Sequence, residues 1–223
     1  MKQSVNQTQG ESYAKYFLNK HERWWRFLLP VQVPYKKFAR AICRGQVLDI
    51  GCGAGRYLSF LFPRATGVDH NTHMLDYVKG KGFKAFSPED FLSAPGNNNA
   101  FDTLLFSHIL EHMTPENACS MISQYIPCLR SNGRIVIILP QGEAFKTDHT
   151  HICNYSPEMI RNLATLTGTR MIRSFTFPFP EKIGEYFPFN DLVYLLKRRI
   201  SFPPPSQIFL THGRSMPNLP VKL

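Results

Sequence analysis

Val47-Leu-Asp-Ile-Gly-Cys-Gly-Ala-Gly55 is the stretch whose reading decides the fold. A short apolar strand carrying Asp49 breaks into a turn with glycine at every second position, Gly51, Gly53 and Gly55. Glycine lacks Cβ and tolerates positive φ, so such a turn lets backbone approach a bound ligand closely. Eighteen residues beyond Gly51, a second short strand (Ala65 to Val68) ends in Asp69. An acid about 20 residues past a glycine turn is placed to hydrogen-bond a ribose. The pair describes a nucleoside pocket, with Cys52 inside the turn and His70 beside the acid.

Spacing separates the competing nucleosides. The dinucleotide fingerprint needs a small residue three positions after the second glycine, where Arg56 stands. The phosphate loop needs Gly-Lys-Ser or Gly-Lys-Thr, which occurs nowhere in the chain. Outward from the turn, apolar strands alternate with helical patterns: strands at 46–50, 65–69, 83–86, 102–107, 133–139 and 170–176, helices from about 55 and at 72–80, 115–129 and 157–167. That alternation predicts a doubly wound, mostly parallel α/β sheet covered on both faces.

Further segments keep the same order. Ser87-Pro-Glu-Asp-Phe91 follows the third strand; Phe101-Asp-Thr-Leu-Leu-Phe-Ser-His-Ile-Leu-Glu-His112 is a strand running into its loop. Leu129-Arg-Ser-Asn-Gly-Arg-Ile-Val-Ile-Ile-Leu-Pro140 is a turn and strand, Tyr155-Ser-Pro-Glu a helix start, and Asn190-Asp-Leu-Val-Tyr194 a last strand. Over residues 45–197 the chain resembles the class I S-adenosylmethionine-dependent methyltransferases, in particular the ubiquinone-pathway-like, type 11/23 group. The resemblance implies a Rossmann-like seven-stranded sheet in a single domain, with one antiparallel strand near the C-terminus, and S-adenosylmethionine as cofactor. It places Asp49, Gly51, Cys52, Gly53 and Gly55 on the methionine side of the pocket and Asp69 with His70 at the ribose. Asp90 and Phe91 fall at the adenine and Ser107 in the same crevice. His108, Glu111 and His112 are the candidates for chemistry, sharing one face if the segment is helical, with His108 or His112 deprotonating the acceptor.

Two metal-using groups, the ubiquinone-pathway O-methyltransferases and the small-RNA 2′-O-methyltransferases, carry Glu-x-x-Glu-His on this loop and a His ahead of the next helix. This chain matches at Glu111, His112 and His151, but His108 replaces the first Glu. No metal is expected; Glu111, His112 and His151 are the residues that would hold one, and such a set suits a transition metal better than magnesium.

Composition bounds the rest. The chain has 223 residues and five scattered cysteines, which reads as one domain with reduced thiols in a cytoplasmic setting. The net charge is +10, with nine cations against two acids in residues 1–45 and six against two in residues 182–223. The organisation expected is a helical lid over 1–44, a methyltransferase core over 45–197, and a basic, proline-rich tail over 198–223. Tyr13, Tyr16 and Trp24 form an aromatic stripe on the lid. The expected reaction is O-methylation of a small-molecule or glycan/lipid-linked acceptor. Nucleic-acid methylation is the alternative drawn from the basic ends, without a recognisable RNA module to favour it. A non-catalytic cofactor-binding subunit, and contact with an anionic membrane through Leu195-Leu-Lys-Arg-Arg-Ile200, are the remaining readings; oligomeric state is open.

Overall fold

The structure, a computed structural model, describes residues 32–146, 148–184, 186 and 190–199. Helix α1 (Gln32–Ile42) leads into β1 (Val47–Ile50), α2 (Arg56–Leu61), β2 (Ala65–Val68), α3 (Thr72–Gly80) and β3 (Ala85–Phe86). Then come α4 (Pro88–Ser93), β4 (Phe101–Ser107), α5 (Pro115–Tyr125), β5 (Leu129–Pro140), α6 (Glu143–Lys146), α7 (Pro157–Leu166), β6 (Thr169–Phe177), α8 (Glu181–Gly184) and β7 (Asp191–Arg198). The seven strands form one sheet in the order β3-β2-β1-β4-β5-β7-β6. All pairings from β3 to β5 are parallel, and β7 runs antiparallel between β5 and β6. The doubly wound sheet and its single antiparallel strand are as the sequence implies. The stripe Tyr13, Tyr16 and Trp24, most of the 1–44 lid and nearly all of the 198–223 tail lie outside the described residues.

Alternation along the strands sorts the core into two layers. Leu48, Ile50, Leu104, Phe106, Ile135, Ile137, Tyr194 and Leu196 face one side, against α5 and α7. Val47, Leu105, Val136, Ile138, Val193 and Leu195 face the other, against α1, α2 and α3. A strand stretch buried on both faces has to read as continuously apolar, and Leu104–Phe106 of β4 and Ile135–Leu139 of β5 do. Leu195 and Leu196 are buried on opposite faces of β7, which corrects their reading as part of a membrane-contacting segment.

Three helices start by the same device. Ser87, Thr114 and Ser156 each cap the helix that follows through a side-chain oxygen, accepting from Asp90, Asn117 and Met159 N–H, with proline next in the chain. The 3₁₀ turn at Ile126–Cys128 ends the expected 115–129 helix early, because Pro127 cannot donate to the preceding turn.

Leu104→Ala should cost about 2–5 kcal/mol, since nothing in a fully buried strand can collapse into the space. Tyr194→Phe should be neutral or stabilising by up to about 1 kcal/mol, because its buried hydroxyl has no hydrogen-bond partner. Urea denaturation of both variants measures the contrast.

Candidate active site

The parallel strands end together, and the turns that follow them lie at one end of the sheet. Gly51 and Cys52 N–H both donate to Val68 O, which ties the glycine turn to β2. Gly53 N–H donates to Asp69 Oδ2 at 2.8 Å, and Asn71 N–H to Asp69 Oδ1 at 2.9 Å. Asp69 therefore holds two loops in place while keeping lone pairs for a ligand. Gly51 sits at φ 75°, where a Cβ would come within 2.3 Å of Ile109 Cδ1; Gly53 lies at φ 48°. A side chain at Gly51 would displace Ile109, and one at Gly53 would carry the strain of a left-handed backbone.

Asp49 is 2% exposed, and its Oδ2 has no hydrogen-bond partner. Burial, reinforced by the nearby Asp69 charge, pushes its carboxyl up to about 8. Two hydroxyls at the same end, Tyr57 and Ser107, are also buried and face one another. That end of the sheet thus presents a buried carboxyl and two buried hydroxyls in a region of low dielectric.

Other expectations for the cofactor side change. Phe91 is 2% exposed and its ring contacts Phe86, Phe101 and Tyr125, so it is a core residue and not a cover for an adenine. The Cys52 side chain is buried against Gly67 of β2, and burial drives its thiol upward, leaving only backbone for a ligand. Asp90 is exposed in the first turn of α4. His70 is exposed, with Nδ1 3.8 Å from Asp69 Oδ1.

His108, Glu111 and His112 do not share a helical face. His108 has φ 53°, which breaks the chain direction before a single 3₁₀ turn at Leu110–His112. Its Nε2 lies 3.3 Å from Asp191 Oδ1 and its Nδ1 3.4 Å from Glu111 Oε1. Burial alone would lower its basicity, but the Asp191 and Glu111 carboxylates overturn that and raise it to about 10. With 37% of its side chain exposed, His108 meets solvent, and the two carboxylates still hold it protonated at neutral pH. That corrects the expectation of a base at this position. His112 turns the other way, its Nδ1 3.1 Å from Thr150 O and 3.0 Å from Thr150 Oγ1. Burial pulls its basicity down, so it is neutral. His151 places Nδ1 2.8 Å from Phe145 O and Nε2 4.0 Å from Glu111 Oε1.

Asp191 is the residue that sequence reasoning missed. It opens β7, 5% exposed, and its charge reaches Tyr35, Tyr57 and His108. Because β7 is antiparallel, its first residue, and not its last, lies at the carboxyl ends of the parallel strands; the expected topology held that signal.

Comparison with known proteins follows the geometry. Residues 48–137 match the methyltransferase domain model. Over this region the chain is similar to that domain family. The chain is 30% identical over 94 residues to an uncharacterized methyltransferase of Anoxybacillus flavithermus, covering 40% of this chain and 44% of the relative. It is 25% identical over 138 residues to a tRNA (carboxymethyluridine(34)-5-O)-methyltransferase of Macaca fascicularis, covering 60% of this chain and 19% of that protein. The chain thus spans less than half the length of either curated relative. Among solved structures, an S-adenosylmethionine-dependent methyltransferase from Archaeoglobus fulgidus superposes with a TM-score of 0.63 at 24% identity, over 82% of this chain and 99% of that one. The fold is that of the class I methyltransferases.

The Asp49 carboxyl sets a pH dependence. Its ordinary value is 3.8 and its folded value about 8, so the folded state holds the extra proton between them. Its contribution to stability is full below about 4 and is lost as pH rises through about 8. Asp49→Asn should flatten that decline, as read by thermal denaturation between pH 5 and 9.

Proposed function

We propose that this chain transfers the methyl group of S-adenosylmethionine to a hydroxyl of a small-molecule or glycan/lipid-linked acceptor. The observation that carries the cofactor is the buried, unpaired Asp49 carboxylate beneath the glycine turn. A carboxyl kept neutral by burial gains most when a cation arrives, and S-adenosylmethionine brings an ammonium and a sulfonium. Asp69 has lone pairs left for a ribose diol, and the exposed Asp90 accepts from an exocyclic amine. When bound, the cofactor supplies an electrophilic methyl carbon, so the chain's task is alignment and exclusion of water. The groups able to take a proton from the acceptor are Glu111, whose Oε1 lies 3.4 Å from His108 Nδ1, and neutral His112. Protonated His108 orients Glu111 from the Asp191 side.

A nucleic-acid acceptor is the second reading. It is supported by a cross-strand row of like charges, Arg134, Lys197 and Arg170, on adjacent strands β5, β7 and β6. Like charges directly opposite one another are destabilising, and a polyanion would relieve them. The row lies at the opposite end of the sheet from the crevice, which favours the first reading.

Calorimetry with S-adenosylhomocysteine tests the pocket. Binding should tighten as pH rises toward 8, by at most about tenfold per unit for one linked proton, and Asp49→Asn should remove that slope. Gly53→Val should abolish binding with an unchanged circular dichroism spectrum. Retained binding in Gly53→Val would sink the placement of the cofactor.

A further inference from the structure

Arg56 stands where a dinucleotide loop would need a small residue, and it opens α2 directly after Gly55. It is half-buried, and its guanidinium lies 4.7 Å above the Tyr35 ring of α1, with the Tyr57 and Phe60 rings at 6.0 and 5.6 Å. Stacking of this kind fixes the plane of a guanidinium but occupies none of its N–H donors, which point outward along the edge of that plane. No hydrogen bond or ion pair takes up those donors among the described residues. Two neighbouring arginines are engaged by contrast: Arg40 Nε donates to Phe60 O, and Arg64 donates to Gly45 O and Cys43 O. A guanidinium does not shed its proton, so Arg56 presents a permanent charge without a counter-ion among the described residues.

The contacts around Arg56 lead toward His108. The Tyr35 ring meets Phe177 edge-on at 5.1 Å, Phe177 is the cross-strand partner of Asp191, and Asp191 Oδ1 lies 3.3 Å from His108 Nε2. Asp191 already has the imidazolium of His108 as its partner, which leaves Arg56 in excess. Resting on the methyl-transfer reading above, we propose that the Arg56 guanidinium receives a carboxylate or phosphate carried by the acceptor, which makes the acceptor an anionic molecule. Arginine offers two parallel N–H groups to such an oxyanion, and the ring stack holds that fork in one orientation. Asp69, Glu111 and Asp191 are buried at the same end of the sheet and would repel an anionic acceptor. An unpaired cation beside them offsets that repulsion and fixes which end of the acceptor turns toward Tyr35. The cofactor's own carboxylate has the same chemistry, but the electrostatic neighbours favour the acceptor. Arg56 and Asp191 act together on Tyr35 and Tyr57, whereas the charge acting on Asp49, assigned above to the cofactor's cationic end, is that of Asp69.

The test follows the arginine Nε–H signals of the full chain by nuclear magnetic resonance as acetate and, separately, inorganic phosphate are added, with and without S-adenosylhomocysteine. The Arg56 signal, assigned by its loss in Arg56→Gln, should move saturably in both states. Arg173, exposed and stacked on Phe175 at 4.8 Å, controls for stacking alone, and its shift should be at least about fivefold smaller. Calorimetry of Arg56→Gln should give an S-adenosylhomocysteine affinity within about twofold of the parent. A loss of about tenfold or more, absent with methylthioadenosine, which lacks the amino-acid end, would assign the guanidinium to the cofactor's carboxylate and overturn the acceptor assignment. An Arg56 signal that does not saturate, or that moves no further than that of Arg173, overturns it as well. The anion titrations use the unaltered protein, so they do not depend on how the variant folds. If S-adenosylhomocysteine fails to bind while Arg56 still takes acetate, the methyl-transfer reading falls and the anion site stands.

Discussion

Four carboxyl groups at one end of the sheet, Asp49, Asp69, Glu111 and Asp191, each expose less than a tenth of their surface. Gathering them in a region of low dielectric is the constraint on which the rest of the site depends. Asp69 is compensated by backbone N–H groups of the neighbouring turns, and Asp191 by the imidazolium of His108. Asp49 and Glu111 are not fully compensated by anything in the described residues. A fold that only had to be stable would place Asn, Ser or an apolar residue at these two positions. At Asp49 the burial itself holds the proton on the carboxyl, and at Glu111 the neighbouring His108 supplies the nearest positive charge.

The backbone organisation was largely legible because it follows from local chemistry. The glycine turn, the Ser-Pro and Thr-Pro helix starts and the apolar runs of β4 and β5 each specify their own geometry within a few residues. Pro127, inside the expected 115–129 helix, was the one signal that mattered and was passed over. The geometry of the glycine turn followed for the same reason, since a turn dictates where its own N–H groups point.

What could not be read was burial and pairing between distant residues. Phe91 occupies a position where a ring could cover a ligand, yet the direction of its ring is set by Phe101 and Tyr125, which approach from other elements. Helical spacing of 108, 111 and 112 presumed a regular helix, and the positive φ of His108 removes it.

His108 shows how far a residue's chemistry belongs to its partners. Taken alone, a histidine on a strand-end loop is a natural base, with an ordinary value of 6.5. Asp191 lies 83 positions away in sequence and reaches it only because β7 inserts antiparallel between β5 and β6. That insertion turns a base into a fixed cation, which in turn orients Glu111. The sheet order therefore places His108 between two carboxylates, with His112 turned to the other side of the loop toward Thr150. Acceptor specificity must be written in the same long-range pairings, because the residues that face the acceptor are contributed by loops far apart in the chain.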